Sequence, residues 1–164
     1  MLEPAIKYKE ELLSLFSDTW FNDKYKYYYA IGYPEMPEIE NNAWNHIQMV
    51  SVYKNQILGF IEVAINRNSY IAQNTNIISF VPSIVFAKDV RQFIDKIFTQ
   101  YNFHKLTFEV AIGNSVEHIY DKYIEKLGGK IVGIKEQQWK LWDNKYYDVK
   151  HYEILKSNYI KIKS

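Results

Sequence analysis

Residues Val90–Gly129, VRQFIDKIFTQYNFHKLTFEVAIGNSVEHIYDKYIEKLGG, decide the fold because the spacing of their apolar positions changes twice. Val90, Phe93, Ile94, Ile97, Phe98 and Tyr101 fall at i, i+3, i+4, i+7, i+8 and i+11, which draws one stripe down a helix. From Leu106 the period drops to two. Leu106, Phe108, Val110 and Ile112 alternate with Lys105, Thr107, Glu109 and Ala111, as side chains do on the two faces of a strand. Helical spacing returns at Val116, Ile119, Tyr120, Tyr123, Ile124 and Leu127, and Gly128-Gly129 offers a residue that accepts a left-handed C-cap. The expectation is a helix, a strand and a second helix over Asn114–Gly128.

Working toward the N-terminus, Thr75–Val81 alternates as a strand and Pro82 ends it, since proline cannot donate to a ladder. A strand, a break, a helix and a strand from Thr75 to Val110 form a crossover unit. Upstream, His46–Tyr53 and Gln56–Asn66 are rich in β-branched and aromatic residues, and Lys54-Asn55 suits a tight turn, so these runs predict a hairpin. Asn66–Asn74 is a second break. The first helix is expected from Lys7 to Phe21 on the spacing of Tyr8, Leu12, Leu15, Phe16 and Trp20, after a short strand at Pro4–Ile6. Lys24–Ile39, with Gly32, Pro34 and Pro37, predicts a long ordered loop. Toward the C-terminus, Lys130–Leu141 and Tyr146–Leu155 flank a polar Asp143-Asn144-Lys145 turn. The fold class is therefore α/β, an α+β mixed sheet: an antiparallel meander, a helix-strand-helix crossover and a C-terminal hairpin. No repeat or linker divides it, so one domain over 1–164 is expected.

The 164 residues, 48% of them hydrophobic, suffice for one continuous core. Twenty Lys and Arg against 19 Asp and Glu leave a net charge of +1, so no global field recruits nucleic acid or an anionic membrane. The absence of cysteine removes disulfides, thiolate metal sites and cysteine nucleophiles together. Met1–Glu11 lacks the apolar core of a signal peptide, and no stretch approaches the roughly 20 apolar residues that span a bilayer. A cytoplasmic location is expected.

Several residues are chemical candidates. The segment Phe86-Ala87-Lys88-Asp89-Val90 opens a helix, where free amides and the positive end of the macrodipole favour phosphate; alternatively Asp89 simply caps it. Asn114 with Glu117 matches a capping box, and its side chain could also meet a ligand lying along the preceding strand. Tyr120 and Tyr123 are one turn apart and either phenol could donate a proton, or both could be core. Glu62 and Glu109, on strands facing the centre, could accept one directly or through water, or be exposed strand carboxylates. His46, His104, His118 and His151 show no metal-ligand spacing and are given no role. Lys24-Tyr25-Lys26-Tyr27-Tyr28-Tyr29 interleaves cations and aromatics, as single-stranded nucleic-acid grooves do, but packing over the sheet explains it as well.

Leu106-Thr107-Phe108-Glu109-Val110 leading to Gly113-Asn114, then Tyr120, Gly128-Gly129-Lys130-Ile131-Val132-Gly133, Tyr147-Asp148-Val149 and Tyr152-Glu153-Ile154-Leu155, resemble the GNAT superfamily of acyl-CoA N-acyltransferases. The resemblance covers most of the chain. It implies a sheet splayed between its fourth and fifth strands, with the pantetheine of acetyl-CoA or another acyl-CoA in the fork and its pyrophosphate on Phe86, Ala87, Lys88, Asp89 and Val90. It further implies Asn114 as a contact to the cofactor or its neighbours and Tyr120 as acid toward the departing thiolate; the base that such a transfer needs is left to Glu109 or Glu62. The family's phosphate loop carries an Arg/Gln-x-x-Gly-x-Gly/Ala pattern, and this chain has no glycine there. Acyl transfer to a primary amine of a small molecule or peptide is the function implied; the alternative is a non-catalytic domain of this fold that binds a protein partner. A homodimer is among the assemblies left open.

Overall fold

The computed structural model describes residues 1–29, 34–41 and 44–164. In chain order the elements are β1 (Leu2–Pro4), α1 (Lys9–Ser17), β2 (His46–Tyr53), β3 (Gln56–Asn66), β4 (Ile71–Ser79), α2 (Ile84–Thr99), β5 (Lys105–Ala111), α3 (Glu117–Lys126), β6 (Gly129–Lys140), β7 (Tyr146–Leu155) and α4 (Lys156–Lys163). Short 3-10 turns lie at Ala5–Tyr8 and Asp23–Tyr28. One seven-stranded sheet runs in the order β1-β2-β3-β4-β5-β7-β6. Neighbours are antiparallel except β4 and β5, which are parallel and joined through α2.

The β2–β3 hairpin forms as expected. Lys54 and Asn55 both take positive φ, 49° and 60°, which is the turn that matches the twist of paired strands. Alternation then sorts the strand residues onto two cores. Ile47, Met49, Ile61, Val63, Leu106 and Val110 face Phe93, Ile97 and Phe98 of α2, Ile124 of α3 and Tyr159 of α4. Val50, Phe60 and Ile78 face the other way, onto Leu12 and Phe16 of α1 and onto Ile39. Gly59 allows α2 to seat closely, since a Cβ there would lie 2.4 Å from the Phe86 ring. Gly128, at φ +71°, takes the left-handed position after α3 as expected.

Several boundaries differ from those expected. The first strand is Leu2–Pro4 rather than Pro4–Ile6, and α1 stops at Ser17, leaving Trp20 exposed. Strand β4 begins at Ile71, inside the expected break, and ends at Ser79. The loop of Lys24–Ile39 holds the Asp23–Tyr28 turn, while Gly32 lies outside the described residues. The second helix is shorter than Asn114–Gly128, its first turn being formed by the Asn114–Val116 cap. The sequence reading had no helix at Lys156–Lys163. That helix packs Tyr159 against Phe98, ring centroids 4.7 Å apart, and its Lys163 and Tyr159 both bond Asp95.

The sheet opens where expected. Strands β4 and β5 pair only at Ile71↔Lys105 and Ala72↔Leu106, after which they part. Pro82 lies beyond the end of β4 and does not cause this. The cause is a kink at Asn74, φ +50°, beside a shift in the β3–β4 register between Glu62 and Ala64; bulges of this kind bend a strand and increase its twist. Thr75 Oγ1 donates to the Thr107 carbonyl at 2.9 Å and ties the base of the fork.

Candidate active site

The fork between β4 and β5 is a cleft of about 1010 Å³ whose walls include Ile77, Phe108, Val116, Ile119 and Tyr120. Its apolar lining comes from the same strand and helix stripes that build the core, left unpartnered where the strands diverge. Tyr120 is held by edge-on contacts with Phe108, 5.5 Å between centroids at 81°, and with Tyr152, 6.2 Å at 84°. No hydrogen bond reaches its hydroxyl among the described residues. Burial pushes this phenol up to about 12, so it stays protonated across the neutral range. Tyr123 also borders the cleft but is 47% exposed and lies near Lys126.

At the other end of the cleft, α2 starts at Ile84 and not at Val90, so the expected segment Phe86–Val90 lies inside its first two turns. The Ser83 hydroxyl caps the helix by accepting from the Val85 amide at 3.1 Å, and the Ala87 amide is already bonded to the Ser83 carbonyl. Lys88, Asp89 and Val90 therefore sit within the helical hydrogen-bond ladder. The amides of Ser83, Ile84 and Phe86 are the ones without an intrahelical partner. Phe86, Ala87 and Val90 border the cleft; Lys88 and Asp89 do not. Asp89 is buried toward β2, where it accepts from Ser51 Oγ at 2.7 Å and from the Met1 ammonium at 2.8 Å, so it is not the helix cap. Arg91, two turns into α2, borders the cleft instead and has no ion pair among the described residues. Its i, i+4 relation to Ala87 is the signal that could have found it.

Asn114 borders the cleft at the end of β5, and its Oδ1 accepts from the Val116 amide at 3.2 Å. Glu117 accepts from the Gly113 amide, so the capping box closes one residue earlier than the pattern requires. Below it, Lys150 donates to Glu117 at 2.5 Å and to Asp121 at 2.9 and 3.1 Å, and the Tyr152 hydroxyl donates to Asp121 at 2.6 Å. Burial opposes the Lys150 charge, but its two carboxylate partners outweigh burial and hold it above the usual lysine range. This cage fixes α3, and with it Tyr120, against β7.

The two candidate carboxylates stand on the sheet face opposite Tyr120. Phe108 packs on Tyr120, so its neighbour Glu109 points the other way. Glu109 borders the cleft and its Oε1 lies 3.0 Å from His151 Nδ1. Glu62 is engaged more fully: its Oε1 accepts from Gln48 at 3.0 Å and lies 3.1 Å from His46 Nδ1, and its Oε2 accepts from Asn76 at 3.5 Å. Both histidines given no role by the sequence reading thus face a carboxylate, because cross-strand register placed them there.

Solved structures share this architecture. A spermidine N-acetyltransferase from Vibrio cholerae, in complex with CoA and spermine, gives a TM-score of 0.77 over 98% of this chain and 97% of that one, at 21% identity. A spermidine/spermine N-acetyltransferase from the same organism, in complex with manganese ions, gives 0.65 over 75% of this chain and 72% of that one, at 22% identity. The chain has an N-acetyltransferase fold. No protein-family model and no curated protein matches the sequence, so the roles of individual residues rest on geometry.

In this N-acetyltransferase fold the Tyr-rich segment roofs the cleft from the α1 side, with Tyr25, Tyr27 and Tyr28 along its edge. Tyr28 packs against Phe16 and Tyr29, and Tyr27 against Tyr147. Lys26 ties the segment to the β6–β7 turn, donating to Asp143 at 3.1 Å and to the Tyr147 hydroxyl at 3.0 Å, while Tyr147 donates to Asp143 at 2.6 Å. The Tyr147 hydrogen bond, helped by the Lys145 amide and Lys26, holds Asp143 down to about 2. Among the described residues no group of three His, Asp or Glu could hold a metal ion, and no helix is long and apolar enough to cross a membrane.

Proposed function

We propose that the protein transfers an acetyl or related acyl group from acyl-CoA to a primary amine by direct attack in the fork. The observation that carries this is a protonated, unbonded Tyr120 hydroxyl inside a cleft opened between β4 and β5. The cleft fits the group: its apolar walls suit a pantetheine arm, and unpaired strand edges offer it amides and carbonyls. The free amides of Ser83, Ile84 and Phe86, with Arg91, would take the pyrophosphate in place of a glycine loop. Asn114 would contact the arm where β5 meets α3.

The acyl donor supplies an electrophilic carbonyl and a thiolate leaving group. Glu109, directly or through water, takes the amine's proton as the C–N bond forms. Tyr120 donates toward sulfur from the opposite face as the C–S bond breaks. A free thiol titrates near about 8.5, well below Tyr120, so full transfer from the phenol would be uphill in water. The fork also raises a thiolate by desolvation, which narrows that gap. Tyr120 therefore acts chiefly as a hydrogen-bond donor while charge builds on sulfur; the departing thiolate then takes a proton from solvent and Glu109 releases the amine's proton to solvent, so the products are an amide and a thiol.

The spermine complex of the similar enzyme makes polyamines the first acceptors to try. Acetyl-CoA at millimolar concentration should raise the melting temperature, since a ligand of the native state alone stabilises it by mass action. Turnover is then followed as acetylated amine by mass spectrometry. A flat melting curve and no acetylated product from an amine panel would remove the proposal. A non-catalytic domain would then be the reading, although it calls for a fork filled by side chains, and this one is open.

A further inference from the structure

We propose that His151 is a positioning residue, whose Nδ1–H holds one oxygen of Glu109 so that the other faces the fork to receive the amine's proton. This rests on the transferase reading. Glu109 and His151 are directly paired in the β5–β7 register, and Nδ1 lies 3.0 Å from Oε1. Glu109 borders both the fork and a second hollow of about 310 Å³ on the bare face of β5, β7 and β6, so its side chain stands at the wall between them.

His151 has one usable outlet. Its Nε2 is buried with no hydrogen-bond partner, so a proton placed there would leave a buried N–H unpaired. The imidazole is therefore best neutral, with its hydrogen on Nδ1. Burial pushes it below the usual histidine range and Lys135 adds to this, while Glu109 pulls the other way. The charged groups of the hollow are Glu109 on β5, Lys135 on β6 and Glu153 on β7, the last neutralised by Lys105 and Lys130. A neutral donor keeps its N–H as pH rises through the range where amines lose their protons, so the carboxylate stays aimed when it is needed. Among the described residues no side chain makes an aligned hydrogen bond to Glu109, and the 3.0 Å approach of His151 Nδ1 is its one ion-pair contact, so the orientation depends on this contact.

The test compares His151→Phe, which removes the donor, with His151→Asn, whose amide can occupy the Nδ1 position. His151→Phe should lower kcat about tenfold and move the acid limb of kcat/KM up by about one pH unit, with the acetyl-CoA melting shift unchanged. His151→Asn should recover most of both losses. An unmoved pH profile in a folded His151→Phe enzyme overturns the proposal. Should that variant fail to fold, nitrogen NMR of the wild type decides: the expected result is a neutral Nδ1–H tautomer persisting below pH 6.5 and a titration that moves in Glu109→Gln. A histidine that titrates freely and ignores Glu109→Gln overturns it. Coupling seen by NMR without any melting shift from acetyl-CoA would instead sink the transferase reading.

Discussion

On either side of the fork the sheet carries one histidine-carboxylate pair, and the two are dressed differently. In the β2–β3 half, Glu62 is surrounded by Gln48, Asn76 and His46, under a face closed by Leu12 and Phe16 of α1. In the β5–β7 half, among the described residues, no helix covers the same face and Glu109 has His151 alone. A carboxylate with its lone pairs occupied is part of the scaffold. One with an oxygen to spare, at the edge of a cleft, can do chemistry. Residue type does not separate them; the count of remaining hydrogen-bond sites does.

Stability should follow this division most strongly. Phe16→Ala removes a fully buried ring from the closed face and should cost about 3–5 kcal/mol in denaturant unfolding. Val132→Ala on the bare face, 57% exposed, should stay within about 0.5 kcal/mol. Similar losses would mean that the bare face is covered.

Chemistry should divide the opposite way. Tyr120→Phe should lower kcat by about 10²–10³ with acetyl-CoA binding kept. Glu109→Gln should lower it about 10–100-fold, whereas Glu62→Gln should leave kcat within about threefold. Steady-state kinetics on the three variants settles which half is reactive; equal effects at Glu62 and Glu109 would erase the distinction.

Acid titration gives smaller effects. His151 is depressed below 6.5 in the folded state, so acidification should reduce stability from about pH 6.5 downward, as the unfolded chain binds the extra proton first. His151→Phe should remove that slope in pH-dependent melting. Asp143, depressed from 3.8 to about 2, contributes above pH 3.8 and loses its contribution as pH falls through about 2. Asp143→Asn should therefore match wild type only at the acid end. It should also raise the acceptor KM about threefold through loss of the Lys26 tie, since exposed ion pairs contribute little.

Much of the scaffold was legible in the sequence. The stripe from Val90 to Tyr101 and the alternation from Lys105 to Ile112 named α2 and β5, because burial on one face leaves a period. The start of α2 was not, because exposed Ile84 and the cap at Ser83 precede the stripe. Lys156–Lys163 escaped notice because only Tyr159 of that helix is buried. Tyr120 could be singled out by its place on a helix after a strand, while its unbonded hydroxyl could not.

Element types, the Lys54-Asn55 turn and the glycine that ends α3 were thus written into local order, since backbone preference and side-chain period are properties of neighbours in the chain. The cleft's cause at Asn74, the inward turn of Asp89, the Lys26–Asp143 tie and the pairing of each glutamate with a histidine belonged to the tertiary structure. These depend on register and on which face meets which element, and the contacts that set them lie tens of residues apart.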